Sequence, residues 1–330
     1  MTQPSVPPEP GPKSSNGLLR SLAGLAARSA LMSPGRKLWE KNQKDRNLPL
    51  SRGEKLWTGG YLILRDFADG NFPPVFQDER QTHVDEINYR VNAPGAPEEE
   101  VARAEMLKPF WIGPGLDNCF RTFLKLVGAL ELAGLQPPAK LLELGGGAGW
   151  TAEFLAQLGY EVISTTIAPD DVKSGRKRAE ALRVKGIAAT LEFIAAPMES
   201  VAEHVGSYLP FDAVFVMAAL HHAFDWRAAI VSSHACLRPG GWLLICDEPN
   251  VLHTAISYRV ARLTRTHEIG FNKRELVRHL RQTGFHKIIS IGRRPHLFVR
   301  THWLLAQKCH WPRDNTRATQ ASSGAISRRI

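Results

Sequence analysis

Along this 330-residue chain the spacing of apolar positions changes character at Lys140. From there, short apolar runs alternate with amphipathic stretches. KLLELG, YEVISTTI, ATLEFIA, FDAVFVMA and GWLLICD each predict a short buried strand. The stretches between them predict helices over WTAEFLAQLG, from about Asp171 to Lys185, and from about Asp225 to Leu237. FNKRELVRHLRQTGF (271–285) predicts a further amphipathic helix, and HKIISI and LFVRTHWLLA predict two closing strands. Upstream, a helix is expected from about Leu116 to Leu135, ended by Gly134 and the pair Pro137-Pro138. Strands alternating with helices predict a doubly wound, mostly parallel α/β sheet with helices on both faces.

The N-terminal third has no such rhythm. Residues 1–16 are rich in Pro, Ser and Gly and predict disorder. Leu18, Leu22, Leu25, Ala26 and Met32 then form one apolar stripe at helical intervals, with Arg20 and Arg28 off it and Arg36 and Lys37 following. Such a basic amphipathic helix can lie on an anionic membrane surface. Packing on the domain is the commoner fate of such a helix, and is favoured here. Trp57, Tyr61, Phe67, Phe72 and Phe76 among Gly-Gly, Asp-Gly and Pro-Pro steps predict an irregular or mixed cap over 51–104. APEEEVARAEMLKPF (96–110) predicts a helix with acids in its first turn. The expected organisation is an arm and a helical or irregular cap over 17–104, one main domain over 105–306, and a flexible basic tail over 307–330.

Charge narrows the class of partner. The net charge is +10, but residues 1–50 hold eight Lys/Arg and three acids, and residues 306–330 hold five and one. The body between is close to neutral, which disfavours nucleic acid as a substrate. The four cysteines form no CxxC pair, which predicts free thiols and a reducing, cytoplasmic setting. No apolar run reaches the ~18 residues of a transmembrane helix. The first residues lack the hydrophobic centre of a signal peptide.

The candidate chemistry begins at Glu143-Leu144-Gly145-Gly146-Gly147-Ala148-Gly149, between the first strand and its helix. Glycines there allow a sharp turn and close approach of a ligand, at the strand edge where open α/β sheets bind ligands. A dinucleotide fingerprint would need glycine where Trp150 stands, and an acid near Ser164-Thr165-Thr166-Ile167. No Gly-Lys-Ser/Thr follows, so it is not a P-loop. The spacing Glu-x-Gly-x-Gly-x-Gly is instead similar to the first motif of the class I S-adenosylmethionine-dependent methyltransferases. Phe211-Asp212-Ala213-Val214, Ala219-Leu220-His221-His222 and Leu237-Arg238-Pro239-Gly240-Gly241 follow in the order and at the intervals seen in its small-molecule members.

The resemblance implies a seven-stranded Rossmann-like sheet with the last strand antiparallel, and S-adenosylmethionine as cofactor. It implies that Glu143 helps bind the amino end of the cofactor, with Gly145, Gly146, Gly147 and Gly149 against its methionine part. Thr166, Met198 and Met217 complete the implied cofactor set. Two positions depart from the pattern. Thr166 stands where the family usually has an acid for the ribose hydroxyls, and Pro197 where it usually has one near the adenine. A single hydroxyl cannot grip two hydroxyls as a carboxylate does. Asp170, Asp171 and Glu199 are the available substitutes.

His221 and His222 follow the fourth strand, and histidine suits base work near neutral pH. Either can instead be a packing residue. Asp247 and Glu248 end the fifth strand at the same edge, where they can bind acceptor hydroxyls, act as base, or cap the turn into Pro249. Asn250 and His253 are weaker candidates, and Trp111 and the cap aromatics are candidates to cover the acceptor. His267, His286 and Cys309-His310 lack metal-ligand spacing, so no metal site is expected. The reading is a cytoplasmic methyltransferase acting on a small molecule such as a sugar, a lipid precursor or a secondary metabolite. The alternative is a non-catalytic binding protein on a degenerate methyltransferase scaffold, motivated by Thr166 and Pro197.

Overall fold

The computed structural model describes residues 17–72, 78–89, 107–110, 114–268, 270–292 and 301–309. The expectations for residues 1–16, for most of the 96–110 helix, for Phe76 and Trp111, and for the tail beyond Cys309 lie outside these residues.

Seven strands form one sheet: β1 (Lys140–Leu144), β2 (Glu161–Thr166), β3 (Leu191–Ala195), β4 (Phe211–Met217), β5 (Leu237–Pro249), β6 (Phe285–Ser290) and β7 (Thr301–Lys308). Their order is β3-β2-β1-β4-β5-β7-β6. The first five run parallel, and β7 is antiparallel to both its neighbours. The central strands are buried on both faces, which is why β1 and β4 read as near-continuous apolar runs, while β2 carries small polar residues, Ser164 to Thr166, at its buried end. Successive side chains go to opposite faces. Leu142, Val214 and Ile245 enter one core; Leu141, Ala213 and Leu244 enter the other.

Helices α5 (Pro114–Leu132), α6 (Trp150–Gln157) and α7 (Pro169–Val184) cover the second core through residues such as Leu126, Leu155 and Val172. Helices α8 (Trp226–Cys236) and α10 (Lys273–Thr283) cover the first through Ile230, Leu276 and Leu280. Between β5 and α10 lies α9 (Thr254–Thr264), for which the sequence pattern offered no expectation.

The described part of the cap is helical rather than irregular: α1 (Gly17–Arg28), α2 (Ser33–Lys44), α3 (Arg52–Ala68) and α4 (Glu79–Ile87). A capping box between Ser51 and Glu54 starts α3. The Gly-Gly step falls inside this helix because of a tertiary contact. A Cβ on Gly59 would lie 1.8 Å from the Ala255 carbonyl oxygen, so α3 and α9 meet backbone to backbone. Trp39, Leu62 and Tyr258 form the small core of this junction. Tyr258 donates to Asp66 at 2.8 Å, and Arg259 donates to Asn42 at 2.5 Å.

Helix α1 packs through small residues, burying Ala23, Gly24 and Ala27. Its leucines Leu18, Leu19, Leu22 and Leu25 stay exposed. Among the described residues no helix is long and apolar enough to cross a membrane.

Candidate active site

The carboxyl ends of β1, β2, β4 and β5 open into one cavity of about 820 Å³, partly covered by α4 and the residues after it. The glycine loop forms part of its wall. Gly145, Gly147 and Gly149 all have left-handed backbones (φ 64°, 55° and 79°), which a side chain strains. A Cβ on Gly145 would press on the Met198 methyl and on Ala219; one on Gly146 would meet Ser164 Oγ and the Glu143 carboxylate. Gly145, Gly146 and Gly147 line the cavity. Gly149 does not: a Cβ there would collide with the Phe193 ring, so this glycine serves helix packing rather than ligand approach.

Glu143 lies under the loop, 2 % exposed, and accepts a 2.6 Å bond from Ser164 Oγ. Burial pushes its carboxyl up to about 7, and the Ser164 bond offsets only part of that. Thr166, Met198 and Met217 line the same cavity. The Thr166 hydroxyl already accepts from the Ala168 N–H at 3.2 Å. Asp170, Asp171 and Glu199 also reach the cavity wall, whereas Pro197 does not.

The four candidate catalytic residues separate. Asp247 and His222 line the cavity; His221 and Glu248 do not. Asp247 has a left-handed backbone (φ 56°), as does Ala218 at the end of β4 (φ 50°). Two non-glycine residues in this sparsely populated region, side by side at the cavity, mark a constrained site.

Glu248 corrects the expectation that it meets an acceptor. It is fully buried and accepts N–H bonds from Ala219 and Leu220 at 2.8 Å and from His221 at 3.2 Å. Its Oε2 also lies 2.9 Å from His221 Nδ1. Burial works against its charge, but the His221 hydrogen bond and charge outweigh it and hold the carboxyl below its ordinary value. Glu248 is therefore the cap of the Leu220–His222 turn, and its carboxylate fixes the His221 ring.

Residues that spacing could not reveal complete the wall. Glu86 of α4 lies 3.0 Å from His222 Nδ1 and accepts the His267 N–H at 2.6 Å. Glu268 lies 3.7 Å from His222 Nε2, and Tyr89 packs on the His222 ring at 5.3 Å. Burial disfavours a charged His222, but the Glu86 hydrogen bond and the Glu268, Glu86 and Glu248 carboxylates raise it to about 9. His222 alone is thus a held cation rather than a free base. His253 sits beside Glu268 at 4.0 Å, outside the cavity wall; Asn250 forms a bridge with Phe271. No sequence signal singled out Glu86 or Glu268, which stand 136 and 46 positions from His222.

Comparison with known proteins agrees with the fold. Residues 142–245 match the family model described as a methyltransferase domain. The chain is 32 % identical over 104 residues to the tRNA 5-carboxymethoxyuridine methyltransferase of Escherichia coli K12, covering 32 % of this chain and 38 % of that one. It is 28 % identical over 188 residues to the ubiquinone/menaquinone biosynthesis C-methyltransferase of Pectobacterium carotovorum, covering 54 % and 64 %. The chain thus spans less than two thirds of these relatives' length. The magnesium protoporphyrin IX methyltransferase of Synechocystis PCC 6803, solved with bound SAH, shares the fold at a TM-score of 0.50 and 16 % identity, covering 68 % of this chain and 99 % of that one.

Proposed function

The chain carries a methyltransferase domain of the class I S-adenosylmethionine-dependent family, and from that premise we propose that it methylates a small-molecule acceptor with S-adenosylmethionine. The observation carrying this reading is a single cavity bounded by two chemically different walls. One wall is the glycine loop with Glu143; the other is Asp247, His222 and Glu86. Glu143 is the penultimate residue of β1 and Asp247 stands two residues before the end of β5, with β4 between the two strands. Across the strands they stand two strand spacings apart, about 10 Å, and Asp247 lies three residues beyond Leu244, which is level with Glu143 through Phe215, so there is room for a donor and an acceptor along one sheet edge.

The first wall fits the cofactor. The buried Glu143 carboxylate suits a ligand ammonium, and the side-chain-free backbone at Gly145 and Gly146 suits close approach. Asp170, Asp171 and Glu199 are the carboxylates available for the ribose and adenine contacts that Thr166 and Pro197 do not offer. Bound there, S-adenosylmethionine supplies a methyl group on a cationic sulfur. The second wall orients the acceptor, with Asp247 as the group that receives its proton. Helix α4 limits water at the cavity, and holding the acceptor in line supplies much of the rate.

A near-neutral body and a partly covered cavity favour a small acceptor over nucleic acid, and four free cysteines accord with a cytoplasmic setting. Calorimetric titration with S-adenosylmethionine, on wild type and Gly147→Arg, tests the cofactor wall. Turnover of labelled cofactor with small-molecule extract tests the acceptor. Cofactor binding without turnover on any fraction would favour the non-catalytic scaffold; labelling of tRNA alone would move the acceptor to nucleic acid.

The exposed leucines of α1, flanked by Arg20, Arg28, Arg36 and Lys37, favour peripheral contact with an anionic membrane. Vesicle co-sedimentation tests this.

A further inference from the structure

We propose a divalent-cation site just behind the cavity wall at His222, formed by His221, His222 and Glu268, of the two-histidine, one-carboxylate kind that takes Zn²⁺. One ligand atom from each residue lies within 4.8 Å of the others. The His222 Nε2 to Glu268 Oε1 distance is 3.7 Å, and the two imidazole rings lie 4.2 Å apart. Metal–ligand bonds of ~2.0 Å in a tetrahedron bring ligand atoms to about 3.3 Å, so side-chain shifts of an ångström or so close the set.

The second argument is the orientation of the two rings. His221 Nδ1 faces the buried Glu248 carboxylate at 2.9 Å, and His222 Nδ1 faces the buried Glu86 carboxylate at 3.0 Å. A metal ion displaces the Nε2 proton of the His222 cation; each Nδ1–H then donates to its carboxylate and each Nε2 offers a lone pair. Metal-ligating histidines are fixed by carboxylates in this manner. Two adjacent histidines, each with its own buried carboxylate and a third carboxylate 3.7 Å from the His222 ring, are more than a satisfied pair requires.

Charge is the third argument. Glu86, Glu248 and Glu268 are three carboxylates, each under 8 % exposed, gathered around two imidazoles, with His253 and His267 at the margin. Buried carboxylates in excess of cations are costly, and a divalent ion balances them. The three protein ligands leave a fourth position, and His222 lines the cavity. An acceptor oxygen or sulfur reaching past His222 would take that position. Only this last role rests on the methyl-transfer reading; the cation site does not.

The test uses the full chain without a polyhistidine tag, stripped with chelator and titrated with Zn²⁺ and with Co²⁺. One equivalent of Zn²⁺ is expected, together with the visible absorption of tetrahedral cobalt. Glu268→Gln removes a ligand and Glu86→Gln loosens one; each is expected to weaken Zn²⁺ binding about tenfold or more. Glu268→Gln, at a residue outside the cavity wall, should not change S-adenosylmethionine affinity, measured on the same samples, which separates this site from the cofactor reading. X-ray absorption of the zinc-loaded wild type counts imidazoles without any variant: two support the site, and none or one overturns it. Absence of Zn²⁺ and Co²⁺ binding by folded wild type, or binding indifferent to Glu268→Gln, also overturns it.

Discussion

Glu248 sits fully buried beneath His221, with its Oε2 2.9 Å from the ring Nδ1. The same carboxylate accepts three consecutive backbone N–H groups, so the residue organises the turn that presents His222. Glu248→Ala strands those donors in a buried place. Each buried unsatisfied donor costs roughly 1–3 kcal/mol, and the losses share one relaxation, so a destabilisation of about 3 kcal/mol is expected. Urea denaturation reads it. A variant of wild-type stability would return Glu248 to the role of an acceptor ligand.

If Glu143 holds the ammonium of the cofactor as proposed, cofactor binding should depend on pH. Its carboxyl is raised to about 7, so below that pH the empty site holds a proton. An ammonium ligand binds the ionised form, so affinity for S-adenosylmethionine should rise with pH up to about 7 and then level. Binding near pH 6 should release a proton, seen as a dependence of calorimetric heat on the buffer's ionisation enthalpy. Glu143→Gln should flatten the profile. The stability sign runs the other way. The unfolded chain ionises Glu143 first, so this residue's contribution to stability declines as pH rises from about 4.5 to about 7.

Gly145 and Gly149 should separate on substitution. Both have left-handed backbones, but a Cβ on Gly149 meets Phe193 in the core, whereas one on Gly145 meets Met198 and Ala219 at the cavity. Gly149→Ala is expected to cost about 1–3 kcal/mol of stability by strain and overpacking. Gly145→Ala should carry the larger loss of cofactor affinity. Thermal melts with and without S-adenosylmethionine distinguish the two effects.

The cap docks through Gly59. A side chain there cannot coexist with the Ala255 carbonyl at 1.8 Å from its Cβ. Gly59→Leu should loosen α3 from α9 and speed hydrogen exchange in α2, α3 and α9, leaving β1–β5 protected. Unchanged exchange across that junction would refute the docking role.

The leucine face of α1 should control membrane contact. Replacing Leu18, Leu22 and Leu25 by Ser removes exposed apolar surface without touching the buried Ala23, Gly24 and Ala27. Co-sedimentation with anionic vesicles should fall several-fold, and salt should weaken what remains. Equal sedimentation of variant and wild type would reject the contact.

The doubly wound sheet was legible from residues 140–308 because its information is local. Strands buried on both faces need unbroken apolar runs, amphipathic helices need a 3.6-residue stripe, and the turns between them need glycine or proline. The glycine loop at the cavity was legible for the same reason: Glu143 and the glycines lie within seven consecutive residues. The opposite wall was not. Sequence brought His221, His222, Asp247 and Glu248 to one edge, yet could not decide which faces inward. That depends on the left-handed backbone at Asp247 and on Glu248 folding back under the Leu220–His222 turn. Glu86 and Glu268 carry no spacing signal, because they reach His222 only when α4 and the segment after α9 close over the sheet. Contacts between residues far apart in the chain are set by how finished elements pack, and that packing is decided by the tertiary structure alone.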